Sequence, residues 1–472
     1  MTVNPENNLS GQAVPEAAEV PSDVMDVREP PTRFAEMLKY LGPGLIISAA
    51  IVGSGELIVT TVLGAKVGFT LLWFIILGCL VKVFVQIELG RYTLTHGRTT
   101  IEAMSDVPGP KLVVGWMVYA WLLMYVATFF QLSGIVSTIA QVFRLSGSTL
   151  PDWILAALVT GSCAVLLAGG RYWLIEKVST VMVALFTLLT VAAVGALAWT
   201  EYAVGWSDIV EGLQFSLPRD DEGRVSFTVA FAAFGIIGVG ASELIYYPYW
   251  CLEKGYAKFA GARDDSAEWA ARAQGWMRVL RLDAWTSLCI YTLATVAFYL
   301  LGAAVLGQSG NEIDDANLVV ELSSMYRESF GSLGLTTFII GAFVVLYSTV
   351  FISTASNARL FADWLRVMGW WNASGADSRA NLIRISSVLL PVLYFVIYVL
   401  LESPLMLVFI GALAQSIMLP LLCGASLYFH HFKTHNALRP TVFWTLFLWV
   451  ASFLMAATGC YQLFVKLFPS FA

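Results

Sequence analysis

The sequence predicts an all-α integral membrane protein, and three observations lead to this fold class. The 472-residue chain is 58% hydrophobic and only 13% charged, with a mean hydropathy of +0.73. Its apolar residues occur in runs of about 20, the length that an α-helix needs to cross about 30 Å of hydrocarbon. Most basic residues lie in the short connections between the runs. A soluble globular protein is excluded, because one core could not bury so much apolar surface.

The apolar runs predict eleven membrane-spanning helices in a single transmembrane domain that covers residues 39–470. Residues 1–38 are polar, acidic and rich in proline, a composition that predicts a disordered cytoplasmic tail without a cleaved signal peptide. The predicted spans cover approximately residues 41–63, 69–90, 113–143, 151–169, 174–199, 227–250, 284–307, 334–355, 383–401, 404–429 and 440–465.

The distribution of charge predicts the orientation of the chain. Most of the 27 Lys and Arg residues face the cytoplasm if the N-terminus is cytoplasmic. By the positive-inside rule we expect a multi-pass protein of the cell membrane with its N-terminus inside. The outer connections 200–226 and 308–332 are acidic. The inner connection 252–283 contains "DDSAEWAARAQGWMRVLRL", whose acidic start and basic end predict a short cytoplasmic helix on the membrane face.

A short motif occurs twice, in the first and sixth predicted spans. Residues 52–58 are "VGSGELI" and residues 239–245 are "VGASELI", with Val, Gly, Glu, Leu and Ile at the same offsets. Five spans separate the copies, so they cross the membrane in opposite directions. Two matching helices, each interrupted by small residues near the middle of the membrane, are typical of an inverted-topology repeat.

Each interruption carries a carboxylate, Glu56 or Glu243. An interrupted helix leaves backbone polar groups unpaired, which the bilayer penalises unless something polar fills the gap. A carboxylate in mid-membrane costs roughly 2.5–3.5 kcal/mol on insertion scales for the comparable Asp. A bound cation or a proton would relieve both penalties. Alternatively, the small residues only allow close helix packing while a protonated Glu donates a hydrogen bond.

Longer stretches around both copies resemble the Nramp natural-resistance family of divalent-metal transporters. The similar segments are "LGPGLIISAAIVGSGELIVTTVLGAKVGFTLLWFII", "GGRYWLIEKV", "ELIYYPYW" and "LAQSIMLPLLCGASLYF". The resemblance implies a divergent branch of this family with the LeuT-type fold, in which helices 1 and 6 are broken. The implied parts are repeat one at about 41–199, repeat two at about 227–429 and an extra helix at about 440–465.

The metal-binding motifs of the family are altered in this chain. The helix-one motif Asp-Pro-Gly-Asn corresponds to Gly-Ser-Gly-Glu at 53–56, and the helix-six motif Met-Pro-His corresponds to Ala-Ser-Glu at 241–243. Gln415 resembles a helix-ten amide that completes the family's metal site, although bonding to a neighbouring helix explains it equally well. The candidate substrate-binding residues are Gly53, Ser54, Glu56, Ala241, Glu243, Gln415 and Tyr247.

These changes favour a hard cation as the substrate. Carboxylates and carbonyls suit Mg²⁺, Ca²⁺ or Mn²⁺, whereas the thioether that is missing here favours softer metals. The leading hypothesis is a secondary transporter that moves partly hydrated Mg²⁺ or Mn²⁺ toward the cytoplasm. The expected metal ligands are Glu56, Glu243 and the backbone carbonyls near Gly53 and Val239. The ion is the substrate, and no cofactor is expected.

Two other functions use the same sequence features. The aromatic run Tyr246, Tyr247, Tyr249 and Trp250 could hold an organic cation by cation–π contact, although such a run is more often packing. The protein could also be a sensor that keeps the fold without transport. No phosphate-binding loop, nucleophile elbow or His-Glu-x-x-His motif indicates an ATPase or another enzyme. The expected partners are the cation and membrane lipid, without nucleic acid, and a monomer is expected.

Proton coupling of the family's type is doubtful. The third span carries no acidic residue, and Glu243 stands at the position of the family's helix-six His. Arg384 corresponds to a helix-nine basic residue of the family, but its place at the inner end of a span also suits snorkelling to the interface. Glu243 could carry the proton itself. Lys82 could neutralise a site carboxylate or snorkel, and snorkelling is the expected role.

Overall fold

The computed structural model describes residues 26–169, 172–218, 234–235, 237–309, 317–371, 376–401 and 403–467. The described secondary structure is helical apart from one isolated bridge between Lys111 and Gly115. The main helices of the N-terminal half are α1 (Phe34–Met37), α2 (Pro43–Ile51), α3 (Thr61–Val67), α4 (Leu72–His96), α5 (Thr100–Ser105), α6 (Trp116–Leu145), α7 (Asp152–Ala168), α8 (Tyr172–Ala196) and α9 (Trp206–Gly212).

The C-terminal half contains a second set of helices and forms one continuous hydrophobic core with the first. Helices α6 and α16 pack together, and α4 packs against α12, α10 and α17. The main helices of this half are α10 (Ala241–Lys254), α11 (Tyr256–Ala260), α12 (Ala267–Leu301), α13 (Leu318–Phe330), α14 (Gly334–Val367), α15 (Ala376–Leu400), α16 (Pro404–Tyr428) and α17 (Val442–Leu467).

The helix lengths and the exposed surface agree with a membrane protein. Eight of the described helices are long and apolar enough to cross a membrane, and one bent pair raises this number to nine. Helix α7 is apolar but shorter, and residues 227–233 and 236 of the sixth predicted span lie outside the described part, so the expected total of eleven remains a prediction. Large apolar side chains on α8, α15 and α17 are exposed, as a lipid-facing surface requires.

The first predicted break is a π-helical segment within a continuous helix. Helix α2 passes into a π-helix at Val52–Thr60, which continues directly into α3. A π-helix widens the turn and displaces carbonyls from their usual partners. Hydroxyl groups of α14 reach two of these carbonyls: Ser348 Oγ donates to Ala49 O at 2.9 Å and Thr349 Oγ1 donates to Ala50 O at 3.0 Å. The break is therefore satisfied by side chains.

The second break is a non-helical linker, residues 237–240, that ends at the start of α10. Gly238 has φ +63°, a left-handed conformation that favours glycine, and Gly240 is the N-cap of α10. The predicted sixth span began at residue 227, but residues 219–233 and 236 lie outside the described part. The structure therefore describes the second half of this span and the linker that leads into it.

Two connections differ from the prediction. The charged stretch in the inner connection is the first part of α12, which is one continuous helix of 35 residues, and not a separate helix on the membrane face. Ser266 caps this helix by accepting a hydrogen bond from Trp269 N at 3.0 Å. On the other side, the acidic connection 308–332 contains the amphipathic helix α13, which was not predicted.

Part of the predicted tail is folded. Residues 26–38 lie against α11 and α12, where Arg28 N donates to Phe259 O at 3.0 Å and Trp276 Nε1 donates to Arg28 O at 3.0 Å. Pro30 packs against Gly275, where a Cβ atom would lie 2.1 Å from the Pro30 ring. The expectation of disorder up to residue 38 is corrected for these residues, and residues 1–25 lie outside the described part.

Candidate functional site

A small polar cavity lies where the two helix breaks meet α6, α14 and α16. The volume open to water is about 20 Å³, and about 10–15 Å³ suffices for one water molecule. The cavity in this conformation therefore has room for about one water molecule or one small ion. Its lining residues are Ala50, Ile51, Gly55, Thr128, Gln131, Leu132, Gly238, Ser242, Glu243, Tyr246, Thr349, Ser353 and Gln415.

Glu243 provides the charge of this cavity. It is the one ionisable carboxylate among the described lining residues, and it is 8% exposed. Glu243 lies in the first turn of α10, where its carboxylate interacts with the backbone N–H groups of Gly240 and of Glu243 itself. The positive end of the helix dipole stabilises a negative charge at this position. Glu243 can therefore present a carboxylate to a cation in the cavity.

Gln415 connects this helix end to α6. Its Oε1 accepts a hydrogen bond from Ser242 N at 3.1 Å, and its Nε2 donates to Gln131 Oε1 at 2.9 Å. Gly240 allows this arrangement, because a Cβ atom there would lie 2.3 Å from Gln415 Oε1 and 2.5 Å from Glu243 Oε2. Gln415 thus forms the interhelical hydrogen bonds that the sequence left open, and it also lines the cavity.

Glu56 lies behind the cavity wall and not in it. Its Oε1 accepts from Gly238 N at 2.9 Å, its Oε2 accepts from Thr60 Oγ1 at 2.9 Å, and the residue is 0% exposed. Successive residues of a helix point in different directions, so Gly55 lines the cavity while Glu56 faces the linker. The expectation that both carboxylates face one shared cavity is corrected, since only Glu243 does so.

The other predicted residues are placed as follows. Tyr247 points away from the cavity, since its hydroxyl donates to Leu280 O at 3.1 Å, and the neighbouring Tyr246 lines the cavity instead. Arg384 is exposed on α15 and donates to Asn381 Oδ1 at 3.4 Å, so it does not reach Glu243. Gly53, Val239 and Ala241 are buried beside the cavity, and the Ser54 side chain lies outside the described part.

Lys82 is a buried lysine for which the sequence left two roles open, neutralising a site carboxylate and snorkelling. It is 0% exposed, so it does not snorkel to the interface. Its Nζ donates to Phe234 O and to Ile237 O, both at 2.6 Å, and it interacts electrostatically with Glu56 and Glu243. The buried ammonium group therefore bonds to the linker and lies within electrostatic range of the two carboxylates.

Sequence reasoning also missed the polar face of α14. Within the stretch "YSTVFISTASNA", Thr349 and Ser353 line the cavity, one helical turn apart. Hydroxyl groups that recur at helical spacing in an otherwise apolar helix were a usable signal. Two polar atoms near the cavity, Ser242 Oγ and Asn357 Nδ2, are buried without a hydrogen-bond partner among the described residues. Such atoms are normally paired with water or a ligand.

The histidines that follow the C-terminal end of α16 have separate partners. His430 contacts Glu88 at 3.3 Å and Thr445 at 3.0 Å, while His431 Nε2 accepts from Trp449 Nε1 at 3.2 Å. His435 Nδ1 accepts from Ala437 N at 3.1 Å. Among the described residues, no group of three His, Cys, Asp or Glu side chains has the arrangement of a metal site.

The helix order, with a polar cavity between two interrupted helices, is that of the LeuT-type fold. The structure is similar to that of a manganese transporter from Eremococcus coleocola, with a TM-score of 0.67 at 12% identity over 93% of this chain and 89% of that one. It is also similar to MhsT in complex with L-phenylalanine, with a TM-score of 0.55 at 16% identity over 93% and 99% of the chains.

The sequence itself gives the family. Residues 44–465 match the family described as Natural resistance-associated macrophage protein-like, so the chain belongs to the Nramp family. It is 24% identical to the divalent metal cation transporter MntH 1 of Pseudomonas aeruginosa over 75% of this chain and 74% of that protein. It is 29% identical to the metal transporter Nramp6.2 of Populus trichocarpa, over 44% of this chain and 35% of the relative's length.

Proposed function

We propose that the protein is a secondary transporter that moves a hard divalent cation, Mn²⁺ or Mg²⁺, through the membrane toward the cytoplasm. The observation that carries the proposal is the donor set of the cavity. Its described lining contains one carboxylate, two amides and several hydroxyl groups, with no thioether, thiolate or imidazole. Oxygen donors of this kind suit hard divalent ions.

The arrangement of the donors supports a cation held near α10. Glu243 supplies one negative charge, and the oxygens of Gln415, Ser242 and Thr349 line the same small space. Ser242 Oγ lacks a hydrogen-bond partner among the described residues, which leaves an oxygen available to a ligand. Glu56 would act indirectly and would not contact the cation, because its carboxylate accepts a hydrogen bond from the peptide N–H of Gly238 in the cavity wall.

The size of the cavity ranks the substrates. Space for about one water molecule favours a small ion over an organic cation in this conformation. It also leaves little room for the water molecules that Mg²⁺ gives up reluctantly. We therefore expect Mn²⁺ to be preferred over Mg²⁺, and we expect at most about one retained water, fewer than the sequence suggested.

Uncoupled transport driven by the membrane potential remains the simplest expectation. Helix α6 contains no acidic residue, and Arg384 is exposed on α15. No glycine-rich ATP-binding motif provides another energy source. A potential of 100 mV supplies about 2.3 kcal/mol per elementary charge, so a divalent ion gains roughly twice that on entering the cell.

Flux measurements in proteoliposomes test the proposal. Uptake of Mn²⁺, Mg²⁺ and Ca²⁺ is compared under an imposed inside-negative potential, with a pH-sensitive dye enclosed. We expect Mn²⁺ uptake without internal acidification, and we expect Glu243→Gln to abolish it. Glu268→Gln is the matched control, because Glu268 is exposed on α12 and does not line the cavity. Undiminished uptake by Glu243→Gln, or no uptake of any divalent ion by the unaltered protein, would refute the proposal.

A further inference from the structure

We propose that the linker before α10 contains a second cation site, and that the protein fills this site with its own Lys82 ammonium group. The site lies beside the cavity of Glu243 and is made of the carbonyl oxygens of Phe234 and Ile237. This inference rests on the proposed function in one respect only, the effect of the Lys82 site on divalent transport. The tethered ammonium replaces a co-transported monovalent cation, of which Na⁺ is the test case.

The geometry around Lys82 is that of a bound cation. Its Nζ donates to two carbonyl oxygens at 2.6 Å each. Phe234 is helical and Ile237 is not, so the two carbonyls lie on either side of the point where the helix ends. The ring of Phe234 lies 4.7 Å from the same nitrogen, with its face toward the charge. Carbonyl oxygens freed by a helix break are a usual environment for a small cation within a membrane.

A neighbouring carboxylate completes the site. Glu56 accepts a hydrogen bond from Gly238 N at 2.9 Å, so the linker is held from one side by Lys82 and from the other by Glu56. Lys82 also interacts electrostatically with both Glu56 and Glu243. The linker therefore presents its carbonyls to a positive charge and its N–H group to a negative one.

Packing alone does not account for a charged residue at this position. Burying an ammonium group costs several kcal/mol unless its partners repay the penalty. A neutral side chain would bridge the same space without this cost. Helix α4 does tolerate a neutral polar residue at a buried position. Gln86, one turn from Lys82, is 0% exposed, and both of its amide atoms lack a hydrogen-bond partner among the described residues.

The charge of Lys82 determines whether divalent binding depends on a second cation. With Lys82 positive and both glutamates negative, the three groups together carry one negative charge instead of two. The site therefore does not need a second soluble cation when the divalent ion binds. We expect divalent binding by the unaltered protein to be independent of Na⁺.

Removal of the charge tests the proposal on the purified full-length protein. In Lys82→Gln the two carbonyls no longer face a tethered positive charge, and we expect the melting temperature to rise by at least about 2 °C when choline chloride is replaced by NaCl. The unaltered protein and Lys82→Arg should show no such rise. Lys66→Gln is the matched control, because Lys66 is exposed at the end of α3. A merely structural role would lower stability equally in both salts.

Further outcomes separate this inference from the proposed function. If Lys82→Gln is stabilised by Na⁺ while no divalent ion is transported by any variant, only the proposed function fails. If Mn²⁺ uptake by Lys82→Gln becomes Na⁺-dependent, both are supported. Lys82→Met provides a second variant. The inference is overturned if Lys82→Gln and Lys82→Met each have the same melting temperature in NaCl and in choline chloride. It is also overturned if neither variant folds in either salt.

Discussion

The two copies of the glycine–glutamate motif share five of seven residues, yet they occupy different backbone environments. The first copy lies in a π-helix that continues into α3, and its Glu56 is fully buried with two hydrogen-bond donors. The second copy spans the end of the non-helical linker and the start of α10, and its Glu243 lines the cavity. The same motif thus provides an anchor for the linker in one half and a candidate ligand in the other.

The glycine that the two copies share has a similar role in both. A Cβ atom at Gly53 would lie 1.7 Å from Thr349 Oγ1, and one at Gly240 would lie 2.3 Å from Gln415 Oε1. Each glycine lets a polar side chain of another helix approach the break. The approaching groups differ, because Thr349 is short and held by three carbonyls, whereas the end of Gln415 can move.

The largest expected effect separates the two glutamates. Glu243→Gln should weaken Mn²⁺ binding by about 100-fold or more, because the ion loses its buried charge partner. Glu56→Gln should weaken binding by about tenfold, as a residue that acts through the cavity wall. Titration calorimetry on both purified variants measures the two affinities. Equal losses would show that the two copies act alike and that the assignment of Glu56 as an anchor is wrong.

The next effect compares the two shared glycines. Gly53→Ala should lower the free energy of unfolding by about 1–3 kcal/mol, because Thr349 cannot yield. Gly240→Ala should mainly lower Mn²⁺ affinity, since the ends of Gln415 and Glu243 can move away at the expense of the site. Thermal unfolding and calorimetry distinguish these outcomes. Gly424→Ala is the control, because a Cβ atom there has open space around it.

A smaller effect tests whether the first break depends on side-chain donors. Thr349→Val keeps the shape but removes the hydroxyl that donates to Ala50 O at 3.0 Å. We expect the free energy of unfolding to fall by about 1–2 kcal/mol, whereas Thr349→Ser retains the donor and most of the stability. Guanidinium unfolding in detergent measures both. If valine is as well tolerated as serine, the π-helical segment does not need this hydroxyl.

The smallest effect concerns the residue that the sequence placed in a coupling role. Arg384→Gln should change Mn²⁺ uptake by less than about twofold, because Arg384 is exposed on α15 and bonds only weakly to Asn381. Uptake at two external pH values provides the measurement. A marked loss of Mn²⁺ uptake at only one of the two pH values would show that Arg384 takes part in proton coupling.

The fold and part of the site could be predicted from the sequence. The length of the apolar runs predicted an all-α membrane fold, the repeated motif predicted the two breaks, and the family resemblance pointed to Gln415, which lines the cavity together with Glu243. These features are local, or they repeat along the chain, so they are visible without coordinates. The direction of Tyr246 and Tyr247 was missed, because one residue changes the direction of a helical side chain by about 100°.

The sequence by itself determined the class of the molecule, the position of its interruptions and the oxygen-rich chemistry near them, since these depend on composition, period and residue type. Only the tertiary structure decided that Glu56 faces the linker and that Lys82 points inward to Phe234 and Ile237. The physical reason is that both side chains take their partners from a segment more than 150 residues away in sequence. No local pattern records which backbone groups such a segment brings to them.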